Sequence, residues 1–492
     1  MMEKLYKFLS INRFFRRLTT IRNKYFNDTD LEVLGGVKTI LLFLFTFFQL
    51  NLTISQLPRR NTGTYYYSSL SFSLVKFSTY SLESIVCING IICGFKLMNI
   101  YKKEKEIQFG TIFKFFLGSL TKILIFHYIF FLFYYFMEDL GKLFNFTLMT
   151  DFFVNHCINP KTCIRNYFTS YIPFYYQYAE DSTNEVGFDA CFKFFQLLYC
   201  EFYCFVGTLL LFYFISRFKS SLFDILFSVS ILASTILSYF LYISITDFNK
   251  LTFNIYKLVV ILGETRIYKE SHILYFVYFI GLNCGICYFY FKDMVSNHPI
   301  QNNRKYLPFR YNLSIMNFFY KISGMLKLMF VLFLISVILF FSFSYNIFLS
   351  FTSYTRHNNL IIDMNTPLYI FYIFEKKLYI VAFAALILVL LINSKNNLLK
   401  SLFSCEIFVM SSRLSFCYIC LVESFTYLFY SFNEMQTYLN IETLLYITAA
   451  LFFLLIISSI LLVMVYEMPL RMLVKKITKR KVKKVEHSLL ED

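Results

Sequence analysis

Residues 443–466 read TLLYITAALFFLLIISSILLVMVY, twenty-four consecutive positions without one charged side chain. As an α-helix this stretch would rise about 36 Å, more than the ~30 Å of hydrocarbon in a bilayer. It cannot be an ordinary surface helix, because no polar face recurs at helical spacing. The same reading extends to the whole chain. Its 492 residues are 58% hydrophobic and 16% charged, against roughly 45–50% and about 25% in soluble domains. A soluble core stops growing beyond ~250–300 residues, so the composition excludes an ordinary soluble enzyme and makes the bilayer the solvent. The 65 Phe and 40 Tyr are spread over the chain, read as compositional bias, and carry no functional weight.

Working outward from 443–466, apolar stretches near 39–56, 79–98, 111–136, 190–216, 220–245, 272–292, 323–347, 378–393 and 404–430 bring the spans to about ten. The segment 251–263 is apolar but too short to cross, and reads as re-entrant or interfacial. The expected fold is an all-α polytopic bundle of about ten transmembrane helices. Residues 1–35 form a basic interfacial lead-in, 36–470 the membrane domain, and 471–492 a basic tail. The lead-in carries seven Lys/Arg and no long apolar run before Lys38, unlike a secretory signal peptide; a mitochondrial presequence is the alternative.

The net charge of +17 is read as topology rather than as a nucleic-acid surface, since cytoplasmic loops of membrane proteins collect Lys and Arg. With the N-terminus in the cytosol, Lys102, Lys103 and Lys105, then Arg217 and Lys219, then Arg304, Lys305 and Arg310, then the tail Lys475 to Lys484, fall on one side. Both termini are then cytoplasmic, and the large loop 137–189 is outside. The plasma membrane or the endoplasmic reticulum fits this better than the mitochondrial inner membrane. Cys157, Cys163 and Cys191 belong to that exterior loop or its end, and oxidising surroundings make them candidate disulfide partners. Cys163 with Cys191 is the favoured pair, although pairing is not fixed by sequence. Asn145-Phe146-Thr147 is a glycosylation sequon in the same loop. Asn51-Leu52-Thr53 also matches, close to the membrane.

Ionisable side chains at membrane depth are costly, so each is a functional candidate. They are Glu83, Lys122, His127, Glu201, Arg413, Glu423 and Glu467. Gln49 and Asn89 are uncharged amides, for which hydrogen bonding to a neighbouring helix is the plain reading. The same holds for Arg413, while Glu467, before Met468-Pro469, reads as an interface anchor. The sequence has no Gly-rich phosphate loop and no HExxH, and its six His are scattered. No metal site is expected.

The order of these features resembles the acyltransferase-3 family of multispanning membrane proteins, in its nose-resistant-to-fluoxetine-like branch. Gly35-Gly36-Val37-Lys38 stands where that family shows Asp-Gly-x-Arg, and Gln49 stands at the family's His. Leu82-Glu83-Ser84-Ile85 followed by Asn89-Gly90 resembles Val-Asp-Thr-Phe leading to Ser-Gly. Cys163, Cys191 and Glu201 resemble its cysteine pair and following Asp. Tyr278-Phe279-Ile280-Gly281 with Gly285 is similar to Pro-Tyr-Leu-Ile-Gly with a second Gly four later. Ser412-Arg413-Leu414-Ser415-Phe416-Cys417 is close to Ser-Arg-Leu-Ser-Tyr-Cys, and Glu467-Met468-Pro469 resembles Glu-x-Pro. The resemblance runs over roughly 31–475, without the branch's N-terminal Cys-rich ectodomain.

The resemblance implies transfer of an acyl group from a thioester such as acyl-CoA, as co-substrate rather than cofactor, to a hydroxyl acceptor, with membrane lipids as surroundings. That chemistry wants a base near neutral pKa to activate the hydroxyl, and an Arg to grip donor phosphates bidentately. Gly35, Lys38 and Gln49 replace the family's Asp, Arg and His, Leu274 replaces an Arg, and Val422 a His. Gln takes no proton, and Lys lacks the planar fork. Three readings stand. The first is an active acyltransferase using another base such as His127 or Glu201. The second is a degenerate scaffold or lipid-binding member built around Gln49, Glu83, Lys38, Glu201 and Arg413. The third is a transporter, channel or receptor of another family.

Overall fold

The computed structural model describes residues 29–56, 69–104, 109–124, 193–215, 252–254, 271–296, 329–337, 361–363, 366–392, 403–431 and 441–467, and the single positions 128, 229, 233 and 236. After a 3₁₀ turn at Thr29–Glu32, helices follow as α1 (Val33–Gln56), α2 (Ser69–Glu104), α3 (109–124), α4 (Lys193–Ile215), α5 (Ser271–Ser296), α6 (329–337), α7 (Thr366–Ile392), α8 (Glu406–Arg413), α9 (Ser415–Ser431) and α10 (Ile441–Leu462). A π-type turn, Val463–Glu467, ends α10. The described β-structure is one antiparallel pair, Thr252–Asn254 with Ile361–Asp363.

Among the described residues, four stretches are long and apolar enough to cross a membrane: Val33–Asn51, Tyr80–Lys102, Leu274–Asp293 and Ile441–Glu467. Shorter apolar stretches are Glu201–Phe214 and Leu378–Ile392. The chain is a helical integral membrane protein. Mostly buried, α1, α2 and α5 make the centre of the bundle. Large apolar side chains of α10 such as Tyr446, Phe453 and Ile457 point outward instead, as a lipid-facing helix requires.

The tightest seam joins α2 to α5. Gly90 and Gly94 on α2 oppose Gly281 and Gly285 on α5, each pair spaced four apart so that both lie on one face. A Cβ at Gly281 would strike the Cys87 backbone, and one at Gly285 the Ile91 backbone. Added at Gly90 or Gly94, it would strike the backbone of Tyr278 or Leu282. Between membrane helices such small-residue stripes give van der Waals contact where no hydrophobic force acts. The seam continues through Phe95 against Tyr288, ring centroids 5.6 Å apart, to an ion pair of Lys102 with Asp293.

The paired contacts also fix directions. Along the seam both sequence numbers rise together, so α2 and α5 are parallel. Asn89 meets Glu201 and Tyr101 meets Phe212, which makes α4 parallel to α2. Phe109 meets Tyr213 and Phe116 meets Phe202, so α3 runs opposite to α4. Thr39 donates to the Phe408 carbonyl at 2.9 Å and the Thr46 and Tyr418 hydroxyls hydrogen-bond, so both α8 and α9 pack on α1.

One expected span is interrupted. The stretch 404–430 is two helices, α8 and α9, with a turn at Leu414. Ser411 and Ser412 hydroxyls donate to the carbonyls of Ile407 and Val409, both at 2.8 Å, and the Leu414 N–H reaches back only to Ser411. Serine back-bonding of this kind bends helices. The bend lays α8 across the start of α1, where a Cβ on Gly36 would meet the Phe403 backbone. Other elements outrun their apolar cores: α2 and α7 extend well beyond the expected 79–98 and 378–393. Most of 220–245, the loop 137–189 and the basic ends 1–28 and 471–492 lie outside the described residues.

Candidate functional site

A chain of polar side chains crosses the interior between α1, α2 and α4. The Lys38 ammonium donates to Asn89 Oδ1 at 2.7 Å, and Asn89 Nδ2 donates to Glu201 Oε1 at 2.8 Å. The asparagine thus presents an acceptor to the cation and a donor to the carboxylate, using both ends of its amide. Lys38 is only 8% exposed. An ion at such depth persists when an opposite charge and hydrogen bonds replace its water, which Glu201 and Asn89 supply.

A second polar group gathers on α3, α9 and the end of α10. Lys122 Nζ lies 3.0 Å from Glu467 Oε1 and 3.9 Å from the centroid of the Phe416 ring. The Cys417 thiol donates to Glu467 Oε2 at 3.2 Å. Glu467 is 3% exposed. It is therefore no interface anchor: the π-type turn at Val463–Glu467 adds a residue to the last turn of α10, and the carboxylate sits in the interior. The two groups are not isolated from each other, since Lys122 lies within electrostatic range of both Lys38 and Glu201.

The remaining candidates fall elsewhere. Gln49 is fully buried in α1, on nearly the same face as Lys38 but eleven residues on, about 16 Å along the axis. No small ligand touches both. Glu83, 2% exposed, precedes Asn89 by six residues on α2, about 9 Å along the axis and about 120° around it. It lies in electrostatic range of Tyr379 on α7. Tyr379 stacks on Tyr80 at 4.3 Å and shares a 3.3 Å hydrogen bond with Ser84. Arg413, half-buried in the last turn of α8, lies near Glu32. Asn51 is buried and donates to the Phe47 carbonyl at 2.7 Å, which removes it as a glycosylation acceptor. His127, Asn145, Cys157, Cys163 and Cys191 lie outside the described residues, and so does the side chain of Glu423.

The family-like acid position has a definite environment. A Cβ at Gly35 would sit 3.1 Å from Ser412 Oγ and from the Val409 Cα, so the space beside α1 is already filled by α8. Asn89 was legible as an interhelical amide. The pairing of Lys122 with Glu467 was not, although two membrane-depth ions of opposite sign on a short list of such residues were its signal. Phe416 and Cys417 carried none, because an aromatic and a small sulfur side chain are ordinary packing residues. Comparison with protein-family models, with curated proteins and with solved structures found no match to this chain.

Proposed function

We propose that this chain is a ten-span membrane protein of acyltransferase-3 type whose reacting centre is degenerate, and that it serves as a scaffold or lipid-binding member rather than as an acyltransferase. The observation that carries this reading is the packing at Gly35. Where the resemblance puts an acid to orient a catalytic imidazole, α8 is packed close, and even a Cβ would sit 3.1 Å from Ser412 Oγ and from the Val409 Cα. Gln49 lies three turns from Lys38, and Lys38 is engaged by Asn89. The general base, its orienting acid and the donor clamp are thus all replaced. The parallel sense of α2, α4 and α5 supports the span count, because the chain between α4 and α5 has to return across the bilayer an odd number of times, as a span at 220–245 would do. The proposed home is the plasma membrane or the endoplasmic reticulum, with both termini cytosolic.

One observation favours the transporter alternative. Buried ionisable groups such as Lys38, Glu201, Lys122 and Glu467 mark ion or substrate paths in many membrane proteins. The deciding experiment is acyl transfer by the purified full chain, with labelled acyl-CoA and a panel of hydroxyl acceptors, beside His127→Ala and Glu201→Gln. No turnover above a protein-free control is expected. Turnover by the wild type that either substitution abolishes would sink the degenerate reading and assign the base to that residue.

A further inference from the structure

Three carboxylates at membrane depth, Glu83, Glu201 and Glu467, are not equally provided for. Glu201 accepts a hydrogen bond from Asn89, and Glu467 has Lys122 at 3.0 Å. Glu83 has neither: among the described residues no lysine or arginine pairs with it and no N–H or O–H donates to it. Yet it is only 2% exposed and stands inside the apolar stretch Tyr80–Lys102. A buried charge without a partner is costly, which at membrane depth makes this carboxylate a functional candidate. Its surroundings are rings and hydroxyl oxygens. Tyr80, Glu83 and Ser84 share one face of α2, three and four residues apart. Tyr379 of α7 lies across that face, its ring stacked on Tyr80 at 4.3 Å and its hydroxyl 3.3 Å from Ser84 Oγ. One turn further along α2, Gly281 packs against the Cys87 backbone. Tyr80, Ser84 and Tyr379 are all buried, so Glu83 is enclosed where α2, α5 and α7 meet.

We propose that Glu83 anchors a binding site for a small monovalent metal cation, with the Ser84 and Tyr379 hydroxyl oxygens as its neutral ligands. Charge sets the valence: one carboxylate offsets one positive charge, and a divalent ion would leave an excess charge among apolar helices. The donors set the type, because carboxylate and hydroxyl oxygens are hard ligands that suit hard cations. Packing sets the size. The Tyr80–Tyr379 stack and the contact at Gly281 leave place for an ion but not for the body of an organic amine, since helix interiors are close-packed. The site is on another face of α2 from the Lys38–Asn89–Glu201 chain, and it stands whether or not the protein transfers acyl groups.

The test is thermal unfolding of the full chain in detergent, in sodium chloride and in the chloride of the bulky cation N-methyl-D-glucamine at equal ionic strength. A cation that binds only the folded state raises its midpoint as the concentration rises. The wild type should therefore unfold several degrees higher in sodium, and Glu83→Gln should unfold at the same temperature in both salts. Asp293→Asn, which removes a carboxylate elsewhere, should keep the sodium effect. A wild-type midpoint equal in the two salts would overturn the proposal, and a proton held on the carboxyl would give that result. A sodium effect that survives Glu83→Gln, or that Asp293→Asn removes, would overturn it as well. Where Glu83→Gln does not accumulate, Tyr379→Phe decides, because it keeps the ring on Tyr80 and takes away one oxygen. It should need several-fold more sodium for half of the effect, and an unchanged requirement refutes the site.

Discussion

Asn89 and Gly90 are neighbours on α2, about 100° apart around the helix, and they hold the bundle together in opposite ways. On the Gly90 side, α2 meets α5 backbone to backbone, with no room for a single added carbon. On the Asn89 side, it meets α1 and α4 through one amide that spans a cation and a carboxylate. The first contact is made by removing side chains, and the second by placing one. The difference teaches where each can fail. A packing seam tolerates no added volume, whereas a polar bridge tolerates volume but not the loss of a partner.

The largest expected effect comes from filling the seam. Gly281→Leu or Gly285→Leu should abolish the folded, monodisperse species in size-exclusion chromatography, because the obstructing atoms are the Cys87 and Ile91 backbones and neither can rotate away. Gly118→Leu and Gly207→Leu are the controls, since a Cβ there meets nothing within 4 Å. Those two variants should elute as the wild type does. Equal damage at all four positions would mean that the glycines matter as helix residues and not as a seam.

Breaking the bridge comes next. Asn89→Leu removes the hydrogen-bond partner of both Lys38 and Glu201, and a hydrogen bond to a charged group contributes about 1.5–3 kcal/mol. A fall of that order in unfolding free energy is expected. Adding Lys38→Met and Glu201→Leu should return much of the loss, because buried ion pairs replaced by apolar groups of similar volume are often neutral. If the triple variant is weaker still, the bridge contributes net stability and the polar chain is more than charge compensation.

These two contacts differ also in how far they could be read ahead. The membrane class and the helical fold follow from hydrophobic runs such as 443–466, because the hydrocarbon thickness fixes a length that sequence alone displays. Asn89 was readable as an interhelical amide for a similar reason: an amide in hydrocarbon has to find a partner. Which partner it finds depends on helix order, and nothing in the sequence fixes that α2 lies between α1 and α4. The glycines at 90, 94, 281 and 285 show the small-residue spacing, but spacing does not say whether the opposing face belongs to this chain. The break at Leu414 is not legible because the length of 404–430 suits a single span; its cause is Ser411 and Ser412, whose hydroxyls compete for backbone carbonyls. The π-type turn that carries Glu467 inward leaves no local signature at all, which is why that residue reads from sequence as an anchor.

The smallest effect is expected at the far end of the seam, and it tests whether the seam owes anything to charge. Lys102 and Asp293 pair there, with the lysine side chain 54% exposed, and the ammonium also lies 6.0 Å from the Phe289 ring centroid. Exposed pairs contribute about 0–1 kcal/mol, and here water solvates the ammonium while the Asp293 side chain is 11% exposed. Asp293→Asn should therefore shift the unfolding midpoint by a degree or two at most, and the shift should vanish at high salt, where the Debye length falls to about 3 Å. A loss that persists in high salt would show that Asp293 positions α5 through a contact other than the ion pair. The seam would then be partly polar, and the contrast between the two faces of α2 would be one of degree.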